Sequence, residues 1–249
     1  MKLMLTWCLF ILGATVAGFV QGLTGFAFAL IAMSFWVWVL PPQLAAPLVV
    51  CASLWCHIIS LSQEKAQTQL QFNLILPYVV AGLIGVPLGS YLLHMISADH
   101  FKLVLGLFLI LWCPMMYFKL RFPCIERAGQ SADAVVGFLG GILGGLGGFC
   151  GALPSAWVML KQLTTQQQRY ILRNFNFAIQ LFTLIAYLLQ GTIERVHLPY
   201  LAILLISVSL PAMWGAKLFY KISEKRFNQI VLSLLFSSGI FLVLSITLF

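Results

Sequence analysis

The sequence predicts an all-α polytopic membrane protein made of two inverted five-helix repeats, in which the first helix of each repeat is broken into a hairpin. Three observations support this fold class: the composition, the lengths of the apolar runs and an internal repeat. Hydrophobic residues make up 61% of the 249-residue chain and charged residues only 8%, whereas soluble domains carry about 25% charged residues. Because so few charges cannot cover a water-exposed surface, lipid must surround most of the chain.

Eight apolar runs divide the chain, and six of them have the length of a single membrane span, which is about 20 helical residues. The runs lie at about 3–40, 43–62, 72–93, 101–118, 132–160, 170–190, 198–216 and 228–248. The first and fifth are too long for one span. A single helix over the first run would extend about 57 Å, nearly twice the thickness of the hydrocarbon core.

Glycines interrupt both overlong runs near their middle. Glycine tolerates a positive φ and therefore permits a sharp break in a helix. The interrupting glycines are Gly18, Gly22 and Gly25 in the first run and Gly137, Gly140, Gly141, Gly144, Gly145, Gly147, Gly148 and Gly151 in the fifth. We therefore predict that each run is a helical hairpin that enters the membrane and returns to the side it left.

The distribution of basic residues tests these hairpins, because cytoplasmic loops carry an excess of Lys and Arg. With both hairpins, one side receives 11 of the 14 basic residues and the other receives only Lys2, Lys102 and Arg195. If both runs crossed straight through, the split would be 6 against 8, and if only the fifth folded back it would be 12 against 2. Charge therefore favours the fifth hairpin, and length favours the first as well. The sequence predicts both termini outside and the large basic loops in the cytoplasm.

The two halves of the chain resemble each other in sequence. Residues 18–30 match residues 141–153 at seven of 13 positions, and the motif at 76–78 recurs at 198–200. With two hairpin arms and three spans, each half makes five passes, and an odd number inverts the second half relative to the first. Inverted repeats are a recurring architecture of secondary transporters, whose sites lie near the midplane at broken helices. The predicted organisation is one transport domain with a first repeat at 1–120, a cytoplasmic linker at 121–131 and a second repeat at 132–249.

The two breaks are candidate anion-binding sites. The N-termini of half-helices present backbone N–H groups and partial positive charge, which favour an anion, and glycine lets a ligand approach the backbone closely. The alternative is that the glycines serve only close helix packing. The candidate substrate-binding residues at the breaks are Gln21, Gly22, Thr24 and Gly25 in the first and Gly145, Gly147 and Gly148 in the second.

Polar residues in the second span of each half complete the candidate site. Ser53 and His57 share one helix face at i, i+4, and Arg173, Asn176 and Gln180 share another at i, i+3 and i+7. At an offset of 123 residues, Ser53 corresponds to Asn176 and His57 to Gln180. Polar side chains within a membrane usually face the bundle interior or a cavity, so we expect these two faces to meet beside the breaks.

Three of the candidate side chains also have purely structural interpretations. Arg173 could be a snorkelling charge near a helix end, and His57 could be a hydrogen-bonded packing residue. Asn174 is a further candidate for substrate binding, but it lies on another helix face, where packing or helix capping is the alternative.

No carboxylate is predicted in the membrane interior, because all six acidic residues lie in loops or at the ends of the apolar segments. Cation carriers and carboxylate proton relays normally need one there. The substrate is therefore predicted to be a small anion, and we expect no metal and no cofactor. His57 is the mid-span group that titrates near neutral pH, which makes it the candidate for proton coupling, with sodium held by carbonyls at the breaks as the alternative. Without a G-x-S-x-G or H-E-x-x-H motif, an enzyme is not predicted.

At these motifs the chain resembles the TauE/SafE family of sulfite exporters and toluenesulfonate uptake permeases. The resemblance rests on Gly18-Phe-Val-Gln-Gly-Leu-Thr-Gly-Phe26, on Gly144-Gly-Leu-Gly-Gly-Phe-Cys-Gly151 with Pro154, and on the third spans beginning at Pro77 and Pro199. It implies a permease of the bacterial inner membrane that moves a small organosulfur anion, such as a sulfonate or sulfite. The inverted repeats predict that transport occurs by alternating access. An anion channel and a permease for a small carboxylate are the alternatives. Besides the anion and the lipid bilayer, a coupling proton or sodium ion and a second copy of the chain are candidate partners, whereas nucleic acid is not.

Overall fold

The computed structural model describes residues 2–63, 72–117, 129–161, 163, 165–193 and 195–218 and, within 232–246, all but 234, 238, 241 and 245. These residues form helices and short connections, with no strand among them. The helices are α1 (Lys2–Thr24), α2 (Phe28–Trp36), α3 (Pro42–Gln63), α4 (Phe72–Met95), α5 (Ala98–Tyr117), α6 (Gln130–Gly147), α7 (Ala152–Leu160), α8 (Thr165–Leu189) and α9 (His197–Leu218), followed by an apolar helical segment at Leu235–Leu244.

Six of the helices are long and apolar enough to cross a membrane, namely α1, α3, α4, α5, α8 and α9. Their outward faces carry large apolar side chains; Leu111 on α5 is 73% exposed and Ile206 on α9 is 77% exposed. Such faces are stable in hydrocarbon and not in water. The all-α, multi-pass membrane fold predicted from the sequence is confirmed.

The first overlong run is a pair of helices that lie side by side. Helix α1 ends at Thr24, and Gly25 takes a positive φ of 83°. At the far end of α2, the indole N–H of Trp36 donates to the carbonyl of Phe10 on α1 at 3.0 Å. The two rings stack with their centroids 4.8 Å apart. Helix α2 therefore runs back along α1 towards the end at which α1 began.

The second overlong run folds back in the same way, and a buried ion pair joins the two arms. Gly148 ends α6 with a positive φ of 79°. Lys161, directly after α7, pairs with Asp133 in the first turn of α6 at 2.7 Å. Trp157 on α7 donates to the same carboxylate at 2.8 Å, and Tyr78 on α4 donates to it at 2.6 Å. The carboxylate thus fastens α7 and α4 to the start of α6.

The breaks are narrower than the glycine clusters that predicted them. Helix α1 continues through Gly18 and Gly22, and the interruptions are confined to residues 25–27 and 148–151. Within the helices, glycine allows close packing: Gly22 lies against the carbonyl of Ala212 on α9, with no room for a Cβ. Gly145 lies in the same way against α4. For these glycines, the packing interpretation accounts for the residue type.

Several sequence predictions concern residues outside the described part of the chain. They include positions 121–128 of the predicted linker and most of the basic loop residues. These are Lys65, Lys119, Arg121, Arg127, Lys221, Lys225 and Arg226, together with the side chain of Arg169 and the acidic residues Glu64, Glu126, Glu194 and Glu224.

Candidate functional site

The amide of Gln21 organises the first break. Gln21 lies in the last turn of α1 and is 1% exposed. Its Oε1 accepts the N–H of Phe28, the first residue of α2, at 3.0 Å. Its Nε2 donates to Ser53 Oγ at 3.2 Å and to His57 Nε2 at 3.1 Å, both on α3. A primary amide has two N–H donors, so both donors and the oxygen of Gln21 are engaged, and the side chain joins α2 to α3.

This arrangement defines the state of His57. An amide nitrogen can only donate, and the Gln21 amide is oriented by the Phe28 N–H on its oxygen. His57 Nε2 must therefore accept, and the ring is the neutral tautomer with its proton on Nδ1. The ring is 2% exposed and packs edge-on against Phe177 of α8, with centroids 6.5 Å apart.

The second break lies directly against the first. A Cβ built on Gly151 would lie 2.8 Å from the Cβ of Phe26, in the first break. It would also lie 2.8 Å from Asn176 Nδ2 and 2.9 Å from Asn176 Oδ1, on α8. The carbonyl of Ala152, at the start of α7, accepts the indole N–H of Trp112 from α5 at 3.1 Å. Residues of α5 and α8 therefore hold the N-terminus of α7 in place.

Two amides of α8 face this second break with hydrogen-bonding capacity left over. Asn176 is 1% exposed and Gln180 is 3% exposed. Neither polar atom of Asn176 has a hydrogen-bond partner among the residues that the structure describes, and the same holds for Gln180 Oε1. Gln180 does interact with the thiol of Cys150 in the break. Because buried polar groups are nearly always hydrogen-bonded, these atoms make the second break the candidate binding site.

The charge at the site is positive. Arg173 is half-buried one turn before Asn176 and is close enough to His57 to interact with it electrostatically. The acidic residues that the structure describes are engaged elsewhere: Asp99 pairs with Lys102 and Asp133 with Lys161. Both carboxylates of the described part of the chain thus pair with lysines, and a nearby cation such as Arg173 favours a negatively charged group.

The structure brings most of the predicted side chains together and places others apart. Gln21 and His57 meet at the first break, and Asn176 and Gln180 lie at the second with Gly148 in its turn. Arg173 lies one turn before Asn176 and within electrostatic range of His57.

The remaining predicted residues have local roles. The Thr24 hydroxyl donates to the carbonyl of Val20 in its own helix, and Asn174 Nδ2 donates likewise to Tyr170. Gly22 and Gly145 face neighbouring helices, and Gly147 lies under the ring of Phe149. Gly25 has a positive φ with nothing within 4 Å of its Cβ position, so backbone conformation alone requires glycine there.

Sequence reasoning missed the aromatic side chains that hold the breaks. Trp112 anchors the start of α7, and Tyr187 of α8 donates its hydroxyl to the carbonyl of Gly145 at 2.6 Å. Each carries a polar group that must find a partner when buried. This requirement indicates from the sequence that each side chain needs a hydrogen-bond partner, but it does not indicate which carbonyl is the partner.

Comparison with known proteins identifies a family over nearly the whole chain. A family model described as "Sulfite exporter TauE/SafE" matches residues 10–242. No curated protein and no solved structure matches. The matched region contains both breaks and every side chain that faces them.

Proposed function

Since the chain belongs to the sulfite exporter TauE/SafE family, we propose that it is a secondary transporter that moves a small organosulfur anion, such as a sulfonate or sulfite, across the bacterial inner membrane. One observation carries this proposal. The Asn176 amide, which has no hydrogen-bond partner in the described part of the chain, lies against Gly151 at the N-terminus of half-helix α7, and Arg173 lies one turn before it on α8.

The chemistry of this face suits a sulfur oxyanion. A sulfonate spreads one negative charge over three oxygens, so it is best held by several N–H donors and a single cation. Arg173 supplies the cation, Asn176 supplies an amide donor and the start of α7 supplies partial positive charge. The enclosed position, with Asn176 only 1% exposed, strengthens each of these interactions relative to water.

The packing of the halves supports inverted repeats. Helix α1 packs on α9, and α6 packs on α4, so each hairpin contacts the other half of the chain. These contacts correspond between the halves, because residues of α1 match residues of α6 at an offset of 123 and residues of α4 match residues of α9 at an offset of 126. The corresponding backbone approaches are Gly22 to Ala212 with Gly145 to Val86, and Gly215 to Phe19 with Gly89 to Ile142.

Such an arrangement is suited to alternating access. In transporters with inverted repeats, one part rocks against the other around a site at the broken helices. We propose that the hairpin-containing parts move against the remaining spans here. Coupling to a proton through His57 or to sodium, assembly as a homodimer and termini on the periplasmic side are predictions that go with this function.

Binding of an anion panel to purified protein would test the proposal. Sulfite, sulfate, taurine, sulfoacetate, an aryl sulfonate and acetate are compared by thermal shift, since a ligand at 100 times its Kd stabilises the folded state by about 2.7 kcal/mol. We expect saturable stabilisation by a sulfur oxyanion, lost in Arg173→Ala and kept in Arg195→Ala, a matched change at an exposed arginine.

Uptake into proteoliposomes then separates a carrier from a channel. A carrier shows saturable flux of the anion that stabilised the protein, whereas conduction far above carrier turnover would indicate a pore. Stabilisation by acetate alone would favour the carboxylate permease. If no anion stabilises the wild type, or if Arg173→Ala binds normally, the proposed site is wrong.

A further inference from the structure

The two breaks differ in how completely their buried amides are hydrogen-bonded. Gln21 at the first break uses both its donors and its oxygen on Phe28, Ser53 and His57. At the second break, Asn176 is equally buried, yet its nitrogen and its oxygen both lack a partner among the described residues. The first break is therefore closed by its own side chains, and the second is the one prepared for a ligand.

The unpartnered groups include acceptors as well as donors. Whichever way the Asn176 amide is turned, it presents one N–H₂ donor and one carbonyl acceptor to the break, and neither has a partner in the described part of the chain. Gln180 Oε1 is a second unpartnered acceptor, one turn further along the same helix face. A simple oxyanion has only acceptor oxygens. It would accept from the Asn176 donor and lie near Arg173, while leaving two carbonyl oxygens buried against negative charge.

We propose that the second break binds an oxyanion that also carries its own O–H or N–H donor, and that the carbonyl oxygens of Asn176 and Gln180 accept from that donor. This inference rests on the proposed function, because it assumes an anionic substrate. It adds a requirement that the anion alone does not imply: hydroxylated, amino-substituted or protonated oxyanions bind, and their donor-free analogues bind weakly. Asn176 is then a specificity-determining residue.

The size of the preference follows from the cost of burying unpaired groups. A site built to hydrogen-bond a substrate hydroxyl or amine discriminates strongly against an analogue that lacks it, because the polar groups of the site are then left unpaired. We expect discrimination of about tenfold or more for a single lost donor.

Two pairs of sulfonates of matched shape test the proposal by calorimetry on the purified full-length protein. Sulfamate and methanesulfonate differ in having an amino or a methyl group on sulfur. The second pair, 2-hydroxyethanesulfonate and ethanesulfonate, differs in a terminal hydroxyl. We expect the donor-bearing member of at least one pair to bind about tenfold or more tightly than its partner. The pair that shows the preference locates the donor on the head or on the tail of the substrate.

Two variants assign the preference to Asn176. In Asn176→Leu, which removes both polar atoms at similar volume, the ratio of the two dissociation constants should fall to about one. In Thr183→Val it should be unchanged. Thr183 is buried on the same helix, and in the described part of the chain its hydroxyl bonds only the carbonyl of Ile179 in that helix, at 2.8 Å. Circular dichroism and gel filtration confirm that both variants are folded.

Each other outcome overturns the inference in a distinguishable way. If both members of each pair bind equally well to the wild type, the donor requirement is wrong while the anion site stands. A preference that persists in Asn176→Leu removes the role of this residue. Stabilisation by sodium chloride but not by choline chloride, lost in Asn176→Leu, would make the carbonyls a cation site instead. If none of the four anions binds but an anion of the first panel does, the inference is wrong while the proposed function stands; if that panel fails as well, both are wrong.

Discussion

Single buried amides determine how the two breaks differ, and Gln21 provides the first test. Replacing it with leucine removes three hydrogen bonds and leaves the Phe28 N–H, Ser53 and His57 without that partner. Buried unsatisfied groups cost about 1–3 kcal/mol each, and less between membrane helices. We expect Gln21→Leu to lower the free energy of unfolding by about 2 kcal/mol or more, measured by denaturation in detergent.

The control for this variant is Thr24→Val, one turn further along α1. Among the described residues, the Thr24 hydroxyl bonds only the carbonyl of Val20 in its own helix, so its loss should change stability little. Equal stabilities of Gln21→Leu and Thr24→Val would show that the Gln21 network does not hold the first break.

His57 carries a prediction about its protonation state. Because Gln21 Nε2 donates to it, the ring should be the neutral tautomer with Nε2 unprotonated. Adding a proton there would set two donors against each other and would disturb the contact of Gln21 with the start of α2. Nitrogen NMR of ¹⁵N-histidine-labelled protein, with His57→Gln for assignment, measures the tautomer directly. A protonated Nε2 at neutral pH would contradict the network.

The same substitution tests proton coupling. If transport is coupled to protons through His57, the His57→Gln variant should lose the pH dependence of uptake. An unchanged pH profile would remove His57 from the coupling mechanism and leave sodium as the candidate.

At the scale of elements, the buried ion pair between Asp133 and Lys161 should hold the second hairpin closed. Asp133→Asn leaves the largely buried Lys161 charge, whose side chain is 18% exposed, without its carboxylate. Breaking one partner of a fully buried pair costs about 3–5 kcal/mol, so we expect the loss here to be at or below that range. The Asp99–Lys102 pair is the matched control. Its Asp99 side chain is 76% exposed, and Lys102 Nζ lies 3.6 Å from Asp99 Oδ1. Exposed pairs of this kind contribute under about 1 kcal/mol to stability.

Thermal unfolding of three variants distinguishes the loss of the Asp133–Lys161 ion pair from the mere removal of one negative charge. We expect Asp133→Asn to be far less stable than Asp99→Asn, and the double variant Asp133→Asn/Lys161→Met to recover part of the loss. If both single variants unfold alike, the pair does not fasten α7 to α6.

The elements also show how far sequence reasoning reaches. The hairpins could be predicted because bilayer thickness limits the length of a single span. The length of each run can be compared with that limit without knowing what the run packs against. The position of each break could not, because glycine serves two purposes here. Gly25 and Gly148 take a positive φ, whereas Gly22 and Gly145 allow another helix to approach. Only the three-dimensional neighbours distinguish these purposes.

At the scale of the whole molecule, the candidate site also has features that the sequence could predict and features that it could not. Helical spacing correctly placed Asn176 and Gln180 on one face. Spacing could not show that Asn174 bonds its own helix, or that Gln21 is engaged while Asn176 has no partner in the described structure. Hydrogen-bond satisfaction depends on contacts between α1, α3, α7 and α8, which come together only when both halves of the chain pack.

The orientation of the whole molecule in the membrane is the remaining prediction. Placing 11 of the 14 basic residues on one side requires that both overlong runs return to the side they left and that each half makes five passes. Alkaline phosphatase, active only outside the inner membrane, can be fused after Gly129, after Leu163 and after Phe249. We expect activity only for the last fusion, and a cytoplasmically folding fluorescent protein should give the opposite pattern. Activity after Leu163 but not after Gly129 would mean that the fifth run crosses the membrane, against the contact between Lys161 and Asp133. Equal activity after Gly129 and Phe249 would mean an even number of passes in the second half, and the inverted repeat would then be wrong whatever the anion panel shows.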